Sequence, residues 1–253
     1  MRIHWRIGKR DVEAAQRLLA EHSASPLVAR RQLNLSGDKP PVRKERFWLC
    51  LMVSLITSQQ RSGPRSRVQQ LIRQKAFPLT YRRCARQSQL RAYARAQLAM
   101  AGLRFADRLA ESISSNFEAL DLALWRNTQA VLDGLQRLQP REVETAAAEF
   151  LADRFKGLGP KQSRNLLQML HLTRYEIPLD SRVTKWLQGL GFPFGVKALS
   201  DPRLYAFVLD LIEDLCARAG TYPCVLDAAI FVSFDPEGWI TEDFLDSPGR
   251  QQS

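Results

Sequence analysis

The sequence predicts an all-α fold, on three observations. Apolar residues recur at helical spacing along nearly the whole chain. Period-2 alternation appears only at the start, where Ile3, Trp5 and Ile7 predict a short extended piece. Hydrophobic residues make up 45% of 253 positions, enough for a core, and 13 glycines and 13 prolines exclude a collagen-like or linker-dominated chain.

In chain order, Asp11–His22 reads as an amphipathic helix with Val12, Ala15, Leu18 and Leu19 on its apolar side. Residues 23–45 read as irregular, broken by Pro26, Gly37, Pro40 and Pro41. Arg46–Ser58 is apolar on nearly every side, which predicts a central buried helix. Helical patterns follow at Pro64–Phe77, Ser88–Ala101, Phe105–Phe117, Thr128–Leu138 and Arg141–Arg154, punctuated by Gly102, Asp121 and Pro140. After Gly159 come Pro160–Leu172, Ser181–Leu190, Pro202–Ala219 and Val225–Val232. The acidic end from Asp235 to Ser253 reads as frayed. The total is ten or eleven helices. Trp48 and Trp186 are assigned to the core.

Charge is distributed unevenly. The net charge is +11, yet residues 1–110 carry 23 Lys and Arg against 6 Asp and Glu, and the remainder 14 against 20. Arg61, Arg65, Arg67, Arg73, Arg82, Arg83, Arg86, Arg91 and Arg95 lie within helical patterns rather than in a tail. Guanidinium forks match phosphate geometry, so this half predicts a surface that meets a polyanion, with a solvated basic face as the alternative. Cys50, Cys84, Cys216 and Cys224 show no C-x-x-C spacing, and His4, His22 and His171 are scattered. Buried thiols are expected, with no metal site and no cofactor. The longest apolar run, Phe47 to Ile56, is too short to cross a bilayer, and Asp11 and Glu13 stand where a secretory signal would be apolar. A soluble intracellular protein without membrane contact is expected, cytoplasmic and nucleoid-associated if prokaryotic.

The segment Phe155-Lys156-Gly157-Leu158-Gly159-Pro160-Lys161 lies between two amphipathic patterns. One apolar residue bracketed by glycines suits a tight turn between helices, with Leu158 plugging the core and Gly157 and Gly159 free to adopt positive φ or to admit a close backbone. Amides at such a turn can hold a phosphate, and Pro160 suits the first helical position. Walker and dinucleotide fingerprints fail, because Lys161 follows Pro160 and Gln162 stands where a third glycine is needed. Lys161 falls in the first turn of its helix, an unfavourable place for a cation. Partial burial there would lower its pKa toward that of an amine nucleophile. Nineteen residues on, Ile177-Pro178-Leu179-Asp180-Ser181-Arg182 places an aspartate before another helix. Asp180 reads as an N-cap, or as a carboxylate facing Lys161 for electrostatics or proton transfer.

From Phe155 to Trp186 the chain resembles the helix–hairpin–helix DNA glycosylase superfamily, which includes endonuclease III, the adenine glycosylases and 8-oxoguanine glycosylase. The matching residues are Leu158-Gly159-Pro160-Lys161 and Pro178-Leu179-Asp180. Upstream, Leu55-Ile56-Thr57-Ser58-Gln59-Gln60 resembles the family's buried helix and its Ser/Gln end, and Ala101-Gly102-Leu103-Arg104-Phe105-Ala106 resembles its Gly-apolar-aromatic segment. The four features follow the family order over roughly 140 residues. The four-cysteine iron–sulfur loop of endonuclease III is absent, and the N-terminal β-domain of the eukaryotic 8-oxoguanine enzymes has no room here. The Lys-to-Asp spacing resembles the 8-oxoguanine branch.

The resemblance implies a two-lobed all-α molecule. One lobe would span residues 44–173 and carry the hairpin; the other would combine 1–43 with 174–253. Lys161 and Asp180 would face a cleft between them. It further implies a bifunctional glycosylase and AP lyase that removes an oxidised base, 8-oxoguanine by preference, through a Lys161 Schiff base and β-elimination. Asp180 would stabilise sugar charge and assist deprotonation of Lys161. Gln59 would fill the gap left by the extruded nucleotide, and Gly157, Leu158, Gly159 and Arg61 would complete the DNA-binding set. Asn165 and Met169, four and eight residues after Lys161, are candidates for the base pocket, with core packing as the alternative for Met169. Phe231, Phe234 and Trp239 are candidates for stacking on the base. The expected partner is double-stranded DNA bearing a damaged base, bound by a monomer. Two rivals remain: an oxidised pyrimidine or alkylated purine on the same frame, and a non-catalytic helix–hairpin–helix module that only binds DNA.

Overall fold

The computed structural model describes residues 5–60, 63 and 65–235. Ile3, Arg61, Trp239 and the tail beyond Asp235 lie outside them. Thirteen α-helices and no strand occur among the described residues. Trp5 and Ile7 sit in a non-repetitive lead-in, where Trp5 packs against Phe192 at 5.4 Å between ring centres.

The first helix, α1 (Lys9–His22), begins two residues earlier than the apolar pattern, because the Asp11 carboxylate accepts from the Gly8 amide at 2.7 Å. The stretch expected to be irregular folds into α2 (Pro26–Arg31) and a 3₁₀ turn at Gln32–Leu35. Pro26 opens that helix instead of breaking it, since the first helical position needs no N–H donor. In α3 (Lys44–Ile56) every residue from Phe47 to Ile56 is buried. The pattern at 64–77 yields only the short α4 (Arg67–Ile72), started by Ser66, whose hydroxyl accepts from the Gln69 amide. An unanticipated α5 (Tyr81–Ala85) is capped in the same way by Thr80. Then come α6 (Leu90–Met100) and α7 (Ala106–Ala119). Asp121 does not interrupt the chain: a π-helical turn at Leu120–Leu124 carries α7 into α8 (Trp125–Gly134). The series closes with α9 (Arg141–Arg154), α10 (Pro160–Met169), α11 (Ser181–Gly189), α12 (Pro202–Ala219) and α13 (Pro223–Phe234). None of these helices is long and apolar enough to cross a membrane by itself.

Buried side chains form two clusters. The first runs from Val42 to Leu172 around α3, with Phe47, Trp48, Phe77 and Phe155 at its centre. The second joins Ile7, Ala15, Leu18 and Val28 to residues from Ile177 to Ile230. Trp48 donates its ring N–H to the Leu79 carbonyl, while Trp186 packs against the second cluster only partly buried. All four cysteines are buried thiols. Between the clusters the chain crosses at Thr173–Glu176, where the buried Glu144 carboxylate accepts from the Thr173 hydroxyl and the Arg174 and Tyr175 amides. A buried acid needs such donors, and burial still pushes the Glu144 pKa up.

Candidate active site

The turn before α10 is held from both sides. Asn116 of α7 clamps Lys156, donating to its carbonyl at 2.9 Å and accepting from its amide at 2.8 Å. Phe155 and Leu158 plug the first cluster. Gly157 has φ +88°, and a Cβ there would fall 2.8 Å from the buried Leu55 Cδ2, so only glycine fits. Gly159 is different: its backbone is extended and a Cβ would meet nothing. Among the described residues neither glycine amide has a protein partner. The turn therefore presents donors to the outside, followed by a helix N-terminus whose dipole favours an anion.

Lys161 stands in the first turn of α10 and is exposed rather than partly buried. No ion pair or hydrogen bond engages its ammonium among the described residues. It lines a cleft with Gln162, Asn165, Pro178 and Asp180. Asp180 is the N-cap of α11: Oδ1 accepts from the Arg182 and Val183 amides at 2.7 and 3.1 Å, and Oδ2 from the Arg182 guanidinium at 3.0 Å. The capping role and the cleft position are both real, because the side chain sits at the helix start with 16% of its surface still exposed.

The opposite wall comes from α2 and α13. Leu27 and Arg31 line it from α2; Asp227, Ala228 and Phe231 line it from α13. The Arg182 guanidinium lies 4.3 Å from the centre of the Phe231 ring. The pKa of Asp227 is pushed up to about 7, first by burial and then by the Asp180 charge, against Arg31, the Gln168 amide and Arg182. Arg31 in turn donates to Gln168 Oε1 at 3.0 Å.

Of the predicted site residues, Lys161, Asn165, Asp180 and Phe231 thus share one cleft. Met169 does not: it is 1% exposed in the first cluster. Eight residues advance a helix by about 12 Å, which carries it away from Lys161 and into the core. Phe234 is 46% exposed and does not line the cleft: it is the last residue of α13, about 4.5 Å further along the helix than Phe231 and past the cleft at its exposed end. Gln59 borders a neighbouring recess with Arg108, Gly157, Leu158 and Gly159. Its φ of +57° is left-handed, and its side-chain oxygen accepts from Arg108 at 3.0 Å.

Sequence reasoning missed Asp227 and Arg31 as residues of the cleft. Asp227 left a usable signal, a lone charge in the apolar run Val225–Val232. Arg31 left none, since its segment read as irregular. Phe105 is 39% exposed with φ +61°, and the Arg104 and Arg108 guanidinium groups lie 4.9 and 4.6 Å from its ring centre. Some basic groups on and next to this half are already paired. Arg91 and Lys156 both meet Glu111, and Arg95 meets Asp107.

Neither a protein-family model nor a curated protein sequence matches the chain. Solved structures do. The 8-oxoguanine DNA glycosylase of Thermotoga maritima superposes with a TM-score of 0.61 at 16% identity, covering 89% of this chain and 96% of its own. That of Methanocaldococcus jannaschii gives 0.64 at 17%, covering 89% and 94%. The Methanocaldococcus jannaschii 8-oxoguanine glycosylase/lyase in complex with a 15mer DNA containing 8-oxoguanine gives 0.60 at 15%, covering 87% and 96%. Together with the thirteen helices, these superpositions establish that the chain has the fold of the 8-oxoguanine DNA glycosylases.

Proposed function

We propose that this protein is a DNA glycosylase with AP-lyase activity that removes 8-oxoguanine from duplex DNA, acting as a monomer. The observation that carries this is the position of Lys161 and Asp180 on one cleft, the amine at a helix N-terminus and the carboxylate held by two amides. The fold points the same way, as does the 8-oxoguanine-containing DNA bound by a structural neighbour.

An extruded nucleoside would lie with its sugar against Lys161 and Asp180. Once neutral, the Lys161 amine attacks C1′, and the C1′–N bond breaks with its electron pair going to the base, which takes up a proton. Charge on the sugar grows during this step, and the fixed Asp180 carboxylate stabilises it. The nitrogen lone pair then forms the C1′=Nζ Schiff base as the C1′–O4′ bond breaks, its electron pair going to O4′, which takes up a proton; loss of a C2′ proton next expels the 3′ phosphate. The base would stack on Phe231 and meet Asp227 and Arg31. A carboxylate suits two adjacent N–H donors, as on the Watson–Crick edge of an oxidised guanine, and the guanidinium suits the carbonyl beside them. An oxidised thymine has one imide N–H between two carbonyls, so it would set an acceptor against the carboxylate. Gln59, Phe105 and the amides of Gly157 and Gly159 would face the duplex outside the cleft.

The test is borohydride trapping on duplexes carrying 8-oxoguanine, thymine glycol or an abasic site. A covalent adduct is expected with 8-oxoguanine and lost in Lys161→Gln. Asp180→Asn, which keeps an N-cap, should fold and bind but release base at least about 100-fold more slowly. An adduct that survives in Lys161→Gln removes Lys161 as the nucleophile.

A further inference from the structure

Three buried side chains behind the cleft have no part in the chemistry above. Arg164 lies one turn after Lys161 on α10, Tyr205 comes from α12, and Glu176 sits in the crossing segment; they are 5%, 5% and 0% exposed. Arg164 Nη1 donates to the Pro160 carbonyl at 3.0 Å, beside Lys161. Its Nε lies 2.5 Å from Glu176 Oε2, charges in contact without an aligned N–H···O bond. The other Glu176 oxygen accepts from the Thr145 hydroxyl at 2.8 Å. The guanidinium lies 4.7 Å from the centre of the Tyr205 ring. The Tyr205 hydroxyl accepts from the Leu179 amide and donates to the Ile177 carbonyl, each at 3.1 Å, beside Asp180.

We infer that Arg164 and Tyr205 are positioning residues, which with Glu176 form a buried brace fixing Lys161 relative to Asp180. One end grips the carbonyl of residue 160 and the other the amide of residue 179, so each end lies one peptide from a reacting side chain. Stability alone does not call for such a brace, since apolar residues of similar volume replace buried ion pairs at little or no loss. What the polar groups add is one defined geometry. A displacement of about 1 Å at a reacting group can cost about 100-fold in rate. The brace rests on the proposed roles of Lys161 and Asp180.

Tyr205→Phe tests it by deleting one oxygen while keeping the ring under Arg164. Single-turnover excision of 8-oxoguanine at saturating enzyme should fall about 10- to 100-fold, and borohydride trapping in parallel. Duplex Kd should stay within about twofold. Arg164→Met should show the same loss, and Arg164→Lys should recover part of it by keeping a charge on Glu176. A wild-type rate in Tyr205→Phe, or a loss confined to Kd, overturns the brace. Hydrogen exchange of the Leu179 amide in the free protein reads the brace without substrate. It should quicken at least about tenfold in Tyr205→Phe, while amides of α3 stay unchanged. Unchanged protection at Leu179 overturns the brace whatever the activity. A wild-type protein that neither excises nor traps any lesion overturns the glycosylase reading instead, and leaves the brace to be decided by exchange.

Discussion

At the scale of single residues, the two carboxyls of the cleft are held in opposite ways. Asp180 takes two amide N–H groups and one guanidinium, which satisfy its charge. Asp227 is half-buried near that same charge, and its pKa rises from 3.8 to about 7. A raised pKa means that the folded state holds the proton more tightly than the unfolded chain does. The contribution of Asp227 to stability is therefore fully present below about pH 3.8 and is lost as the pH climbs toward 7. Asp227→Asn keeps the shape and removes that loss. At pH 8 the variant should be more stable than the parent by about 1–3 kcal/mol, and the difference should vanish toward pH 4. Urea denaturation at the two pH values decides it; an equal difference at both would mean that ionisation of Asp227 is not the cause. Excision of 8-oxoguanine should fall in the same variant, so that stability and activity move apart.

At the scale of elements, the hairpin before α10 shows what two glycines in one motif do separately. Gly157→Ala meets both a φ of +88° and a buried Leu55 methyl at 2.8 Å, and should destabilise by about 1–3 kcal/mol. Gly159→Ala meets neither and should leave the melting temperature within a degree or two. Its methyl would instead crowd an incoming phosphate, so duplex affinity should drop. A loss of stability at 159 equal to that at 157 would contradict this division. The hairpin was legible in the sequence because positive φ leaves a residue-type signature, and α3 because ten successive buried positions leave an apolar one. From the residues themselves the pocket was legible only where a cap or a short helical step fixed it, as at Asp180 and Asn165; Phe231 came from the family resemblance. Met169 failed because its distance along the helix outweighed its angle. Arg31 and α2 failed because a proline has the same appearance in sequence whether it opens a helix or ends one. Tyr205 and Arg164 meet only through tertiary packing, which spacing along the chain does not encode.

At the scale of the whole molecule, the excess of +11 conceals local neutralisation beside the hairpin. Lys156 directly precedes Gly157, and its ammonium pairs with Glu111, which Arg91 also contacts. The hydrogen bond from Lys156 and its charge hold the Glu111 carboxyl below the usual carboxylate range, so this carboxylate stays ionised at neutral pH. A DNA phosphate approaching the Gly157 and Gly159 amides would have to compete with it for the same cations. Both partners are about half exposed, so the pair contributes little to folding, and its main consequence is the local field. Glu111→Gln would free Lys156 and Arg91 without touching the cleft. It should tighten binding to undamaged and 8-oxoguanine duplexes alike, and steepen the dependence of log K on log salt by about one to two. The rate of excision at saturating enzyme should not change. Fluorescence anisotropy titrations between 50 and 200 mM salt, a range of about fourfold, provide the measurement. An unchanged slope would place the DNA path elsewhere on the basic half, away from Lys156 and Arg91.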